Sequence, residues 1–273
     1  MGYKTLFAHV CPGRDNSGVY AVSGQMAKMF GANVTGISGA RLSPPLAEVP
    51  VAEMMGYERK AAEESLAALE KEFRAALRQA GIETSWRSSC NFEPISDFIA
   101  REARAADLIV TGPESKSLLD RLEEPRLGPL VMAAGRPVLI VRPDQTELTL
   151  NHVVVAWKDT REARRAVADA MPLLKKANRV LVIEACAKEA LDRAGKRTMD
   201  VTDWLKAHGI QARAWTEVQE STDLEALHAI LNKEKCDLLV AGAYGHTRLH
   251  EWVFGGVTMD LLLRSDRCVL LSH

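Results

Sequence analysis

Four glycines near the carboxyl end of the chain carry the clearest chemical signal in the sequence. Gly242 and Gly245 follow an apolar run, and nine residues separate Gly245 from the pair Gly255 and Gly256. Glycine lets the backbone turn sharply and approach a ligand with no Cβ in the way. A helix that begins after such glycines offers unpaired N–H groups and the positive end of its dipole to an anion. The spacing therefore predicts a loop that binds phosphate.

The elements that must position this loop occur twice along the chain. Each half alternates five apolar runs with helical stretches, and the fourth runs are the clearest repeat: "ADLIVTGP" at 106–113 and "CDLLVAGA" at 236–243. Buried strands that alternate with helices indicate a parallel sheet covered on both faces. We therefore predict an α/β fold of two tandem, doubly wound domains, 1–146 and 147–273, each with a five-stranded parallel sheet. The strand order we expect for each sheet is 3-2-1-4-5.

Apolar residues at the helical period, with glycine after the last turn, mark the helices. The predicted helices cover 17–30, 51–80, 94–105, 161–175, 190–208 and 222–235. Ligands of such sheets bind beyond the carboxyl ends of the strands, near the point where the strand order reverses. The run that leads into Gly242 is the predicted fourth strand of the second domain, so its glycines belong at that edge.

Composition narrows the classes of function. The formal net charge is −1, so the balance of charges predicts no nucleic-acid partner. The five cysteines form no CxxC pair, which disfavours a zinc site and a disulfide framework. No apolar run is long enough for a membrane helix, and none resembles a signal peptide. We expect a cytoplasmic protein with reduced cysteines and no membrane partner.

The glycine spacing after "DLLVAGAYG", together with "VVVAWKDTREARRAVADA" at 153–170, resembles the universal stress proteins. Both halves match the element order of that family, so the whole chain resembles a tandem member. The resemblance implies an adenine nucleotide alpha hydrolase-like fold, a role in the stress response and binding of ATP in the second domain. ADP and AMP are the alternative ligands, and Mg²⁺ would accompany ATP.

The resemblance also assigns residues. It places the phosphate loop on Gly242, Ala243, Gly245, His246, Thr247, Arg248, Gly255, Gly256, Val257 and Thr258, and the adenine and ribose contacts on Ala156, Lys158 and Ala185.

Two residues depart from the family pattern. Gly256 stands where nucleotide-binding members carry serine or threonine, although Thr258 offers a nearby hydroxyl. Lys158 stands where members carry an acid, and an ammonium cannot accept a hydrogen bond from a ribose hydroxyl. A lysine can still meet a phosphate. The departures leave open a second function, a non-nucleotide interaction or sensing module of the same fold.

The first half departs further. Pro113, Glu114, Ser115 and Lys116 follow its fourth run, with no second glycine at the family spacing and with an acid beside the expected phosphate. We predict that this half has lost nucleotide binding. His9 is interpreted as a satisfied histidine at a strand end, and Trp157 as a packing residue that could also line the adenine pocket.

Family members dimerise through their last strands, so the resemblance implies an internal pseudo-dimer in which 138–141 pairs with 269–272. It leaves association into a homodimer open. No nucleophile, general base or metal-ligating carboxylate cluster can be argued from the sequence. We therefore predict no catalytic residue and, at most, slow ATP hydrolysis.

Overall fold

A computed structural model describes residues 2–43, 51–115, 126–218, 223–244 and 267–273. The strands in these ranges are β1 Thr5–His9, β2 Asn33–Arg41, β3 Thr84–Asn91, β4 Leu108–Thr111, β5 Val138–Ile140, β6 His152–Ala156, β7 Arg179–Cys186, β8 Ala212–Val218, β9 Leu238–Gly242 and β10 Cys268–Ser272. The helices are α1 Ser17–Phe30, α2 Val51–Gln79, α3 Ile95–Glu102, α4 Leu127–Ala133, α5 Arg161–Leu174, α6 Leu191–Ala207 and α7 Asp223–Lys233.

The chain divides into two compact units. The N-terminal unit comprises Gly2–Arg136 and Val141–Glu147, and the C-terminal unit comprises Pro137–Ile140 and Leu148–His273. In the C-terminal unit the strands lie in the order β8-β7-β6-β9-β10, and all four pairings among them are parallel. This order is the predicted 3-2-1-4-5. In the N-terminal unit the order β3-β2-β1-β4, also parallel, matches the first four strands of the same pattern.

Strand β5 belongs to the C-terminal unit, although the sequence places it at the end of the first half. It pairs antiparallel with β10, with Val269 opposite Ile140 and Leu271 opposite Val138. This is the strand pairing predicted for 138–141 and 269–272. Every residue of both strands is buried. The pairing satisfies the backbone groups of an edge that would otherwise be open to other chains.

The central strands form because their residues are apolar on both faces, and the helices cover those faces. The central strands β4, β6 and β9 are buried along almost their whole length. Helix α2 ends close to the predicted glycine stop, where Gly81 adopts a left-handed φ of 74°. The predicted helix at 94–105 ends earlier, at Glu102, and continues as a single 3₁₀ turn. Among the described helices, none is long and apolar enough to span a bilayer.

Candidate functional site

The predicted adenine and ribose contacts lie at the carboxyl ends of neighbouring strands in the C-terminal unit. Ala156 ends β6 and Gly242 ends β9, while Ala185 is the penultimate residue of β7. Strand β6 pairs with both neighbours, so Ala156 lies opposite Ala241 on one side and Ile183 on the other. The structure thus brings Ala156, Ala185 and Gly242 to one edge, where the strand order reverses and parallel sheets bind ligands.

Gly242 packs tightly against the first turn of helix α5. A Cβ on this residue would lie 2.5 Å from the backbone nitrogen of Ala163 and 2.6 Å from the carbonyl carbon of Glu162. No side chain fits between two backbone segments at that distance. The glycine is therefore required for packing within the protein, and its presence alone does not indicate a ligand.

The two residues after Gly242, at the start of the predicted phosphate loop, are held by contacts with the end of the chain. The N–H of Ala243 donates to the carbonyl of Ser272 at 2.9 Å, so the chain stays attached to β10. The ring of His273 reaches the carbonyl of Ala243, 3.0 Å from Nδ1. Tyr244 then adopts a left-handed φ of 61°, which is unusual for a bulky residue and costs about 1–2 kcal/mol. These contacts fix the backbone of Ala243 and Tyr244 beside the end of β10.

The N-terminus of helix α5 faces this edge, and protein oxygens already occupy it. The hydroxyl of Thr160 accepts a hydrogen bond from the N–H of Ala163 at 3.3 Å. Glu162 is buried in the first turn, and burial alone would raise its pKa. Hydrogen bonds from its own backbone and from Thr160, with the nearby Arg161, reverse the effect and hold the pKa below its ordinary value. A carboxylate at this helix end repels a phosphate there.

The residues that follow β6 lie in different environments. Trp157 is buried, and its indole N–H has no hydrogen-bond partner among the residues described. Lys158 and Asp159 are exposed, and Asp159 accepts a hydrogen bond from Arg164 of helix α5 at 2.5 Å. Lys158 therefore presents its charge on the surface at the same edge as Ala156. The acid expected at this place in the fold is absent from position 158.

A buried ion pair beside Ala185 was not predicted. Glu184 of β7 is 5% exposed, and both its oxygens accept hydrogen bonds from Arg197 of helix α6, with Nε 3.2 Å from Oε2. These bonds, with the charges of Glu184 and Asp159, raise the pKa of the Arg197 guanidinium above its ordinary value. The signal in the sequence is the acid inside the apolar run "VLVIEAC", because a buried charge needs a partner.

The corresponding edge of the N-terminal unit is closed by the protein itself. Glu114 is buried, and its carboxylate accepts the N–H of Leu127 at 2.5 Å, which caps helix α4. At helix α1, the N–H of Gly18 donates to the carbonyl of Pro143 at 2.9 Å. A bound anion would use these same donors. The acid that the sequence places beside the expected phosphate thus takes a position that a phosphate would need.

The remaining predicted site residues lie outside the residues that the structure describes. They are Gly245, His246, Thr247, Arg248, Gly255, Gly256, Val257 and Thr258. Within the described ranges, no three His, Cys, Asp or Glu side chains group in a way that could hold a metal ion.

Solved structures share this fold across the whole chain. A universal stress protein from Archaeoglobus fulgidus DSM 4304 matches with a TM-score of 0.76 at 17% identity, over 98% of this chain and 97% of that one. A putative universal stress protein from Pseudomonas aeruginosa UCBPP-PA14 matches with a TM-score of 0.66 at 14% identity, over 99% and 93% of the two chains. A functionally unknown protein from Pseudomonas aeruginosa PAO1 matches with a TM-score of 0.63 at 15% identity, over 99% and 92%.

No family model matches the sequence, and no curated protein does. At the identities of the structural matches, the comparison establishes the fold, which is the tandem α/β fold of universal stress proteins.

Proposed function

We propose that this chain is a tandem universal stress protein whose C-terminal unit binds an adenine nucleotide, with ATP as the first candidate. The observation that carries the proposal is the meeting of Ala156, Ala185 and Gly242 at one carboxyl edge. In this proposal the flat base packs against the small side chains of Ala156 and Ala185. The glycine-rich loop 242–258 begins at the same edge and supplies the phosphate site in this proposal.

The charges around the edge support a particular placement of the phosphates. Helix α5 presents the buried Glu162 carboxylate, which repels an anion. We therefore propose that the phosphates bind to the loop residues after Tyr244 and not to the N-terminus of helix α5. Lys158 is an exposed cation at this edge, and an ammonium is a suitable partner for a phosphate oxygen. In this arrangement Lys158 contributes to phosphate binding, and the ribose loses the acceptor that an acid would provide.

Equilibrium dialysis of the purified chain against ATP, ADP and AMP tests the proposal. We expect ATP binding that weakens by about fivefold, or roughly 1 kcal/mol, when Lys158→Ala removes the ammonium. Lys175→Ala is the matched control, since Lys175 is also exposed but follows the opposite end of helix α5, away from this edge. Absence of binding at millimolar nucleotide, with a folded sample, would refute the proposal.

A second candidate is a non-nucleotide interaction or sensing module. Two observations favour it: packing against helix α5 fully accounts for Gly242, and position 158 is a lysine. The double variant Lys158→Asp with Gly256→Ser separates the candidates. If the second candidate is right, the natural sequence should not bind ATP and the double variant should bind it.

We further propose that the chain turns ATP over slowly or not at all, that its two domains form an internal pseudo-dimer, and that it acts in the cytoplasm. The pairing of β5 with β10 supports the pseudo-dimer. Phosphate release well above background in the presence of Mg²⁺ and ATP would contradict slow turnover. Sedimentation of the purified chain distinguishes a monomeric chain from a homodimer.

A further inference from the structure

The two units place different side chains at equivalent positions of the same edge. His9 lies opposite Ile37, and the N–H of the next residue, Val10, donates to that carbonyl at 3.1 Å. In the C-terminal unit Ala156 lies opposite Ile183, and the next residue, Trp157, makes the same bond at 2.7 Å. The pairing of β1 with β4 has the same register as the pairing of β6 with β9, so residues of the two units can be matched one by one. The equivalent residues are His9 and Ala156, Cys11 and Lys158, Thr111 and Ala241, and Gly112 and Gly242.

Three of these side chains in the N-terminal unit, His9, Thr111 and Cys11, contact one another through the imidazole ring. The Nδ1 atom of His9 lies 2.8 Å from the hydroxyl of Thr111, and its Nε2 atom lies 3.6 Å from the sulfur of Cys11. His9 is 2% exposed and Thr111 is 1% exposed, whereas Cys11 is partly exposed. A base that contacts a nucleophile through one atom and an orienting group through another has the geometry of activated nucleophiles.

The hydrogen bonds fix which nitrogen of His9 carries the proton. The hydroxyl of Thr111 donates to the carbonyl of Gly112 at 3.3 Å, because a carbonyl can only accept. The oxygen of Thr111 is then left to accept from Nδ1–H of His9. The Nε2 lone pair of His9 therefore faces the sulfur of Cys11, ready to accept the thiol proton.

The backbone of Cys11 is held in place from both sides. Asn16 accepts a hydrogen bond from the N–H of Cys11 and donates one to its carbonyl, each at 2.9 Å. Asn16 is itself buried at the start of helix α1. The position of the sulfur relative to His9 is thus set by the turn between β1 and α1.

We propose that Cys11 is a nucleophilic thiol that forms mixed disulfides with small disulfides, and that His9 is the base which accepts its proton. In the reaction the proton of Cys11 passes to Nε2 of His9, and the thiolate attacks one sulfur of the disulfide. The new bond joins Sγ of Cys11 to that sulfur, the original S–S bond breaks, and the leaving thiolate takes up the proton from His9. The N-terminal unit would thus use for thiol exchange the positions that the C-terminal unit devotes to nucleotide.

Burial lowers the pKa of His9 to about 4, so the imidazole is neutral and able to accept a proton at physiological pH. The same shift makes it a weaker base than one tuned to neutral pH. The expected acceleration is therefore below the roughly 10²–10⁴-fold typical of general-base catalysis.

The test is the rate of thiol–disulfide exchange with 5,5′-dithiobis(2-nitrobenzoate), assigned to individual cysteines by peptide mass spectrometry. Cys90 is the internal reference, because it is also partly exposed and burial raises the pKa of its thiol. We expect Cys11 to react at least about tenfold faster than Cys90 in the folded chain. His9→Asn can keep a polar contact to Thr111 and removes the atom beside the sulfur. It should slow Cys11 by about fivefold or more and leave Cys90 unchanged.

A second pair of variants keeps the test decisive if His9→Asn does not fold. Thr111→Val removes the acceptor that orients His9 and should slow Cys11, whereas Thr111→Ser keeps the hydroxyl and should retain the rate. The proposal is overturned if Cys11 reacts no faster than Cys90, or if folded His9→Asn or Thr111→Val leaves the rate at Cys11 unaltered. Faster reaction of both cysteines together in either variant also counts against it, because it indicates loosened packing.

Discussion

Replacing Gly242 by alanine tests the close packing of β9 against helix α5. The added Cβ would lie 2.5 Å from the nitrogen of Ala163 and 2.6 Å from the carbonyl carbon of Glu162. Both are backbone atoms, so the strand or the helix must shift as a whole. Overpacking of this kind costs about 1–3 kcal/mol. At about 2–4 °C per kcal/mol for a domain of this size, the melting temperature should fall by roughly 2–12 °C.

Gly112 is the matched control, because it occupies the equivalent position in the N-terminal unit and a Cβ there meets no described atom within 4 Å. Gly112→Ala should change the free energy of unfolding by less than about 0.5 kcal/mol. Thermal and urea unfolding of both variants measure the difference. The reasoning fails if Gly242→Ala is as stable as the natural sequence, or if both variants lose the same stability. Nucleotide binding by Gly242→Ala is informative only where this variant remains folded.

Three further predictions concern buried titratable side chains. Glu114→Ala removes the cap on Leu127 and should lower the free energy of unfolding by about 1–2 kcal/mol in urea titrations, with a smaller loss for Glu114→Gln. Arg197→Met leaves the Glu184 carboxylate buried alone and should cost on the order of 3 kcal/mol, most of which returns when Glu184→Leu is added. The pKa of His9 is about 4 when folded against 6.5 when unfolded, so the unfolded chain takes up this proton first as the pH falls. The contribution of His9 to the free energy of unfolding should therefore decrease by roughly 3 kcal/mol as the pH falls from about 6.5 to 4. His9→Asn should remove that part of the pH dependence, which urea titrations at several pH values measure.

The fold could be predicted because its signals are local and repeated. Apolar strands, helical periodicity and glycine stops place helix α1 at 17–30 and helix α5 within a residue of its end. The alternation of strands and helices predicts a parallel, doubly wound sheet. The strand order 3-2-1-4-5 and the pairing of β5 with β10 agree with the family that the sequence resembles. Boundaries depend on pairing between strands: the apolar run predicts a second strand at 33–37, but β2 continues to Arg41 because its ladder with β3 extends four residues beyond Ile37.

The site was less predictable, because its contacts join residues far apart in the chain. Glycine spacing identifies Gly242, but only the structure shows that the backbone of helix α5 requires a glycine there. The acid at 114 could be recognised as incompatible with a phosphate, yet its role as a cap depends on Leu127, thirteen residues later. His9 was correctly interpreted as satisfied. Nothing in the sequence indicated that its two partners would be Thr111 and Cys11.

The place of β5 has a practical consequence for dissecting the chain. A fragment that begins at residue 147, where the sequence repeat suggests a cut, would lack the strand that lies beside β10. Its open edge would carry Val269, Leu270 and Leu271, and such an edge readily joins that of another molecule. A fragment that begins at Pro137 retains the covering strand. We expect the longer fragment to remain monomeric at concentrations where the shorter fragment self-associates. The fragment should therefore begin ten residues before the apparent repeat boundary.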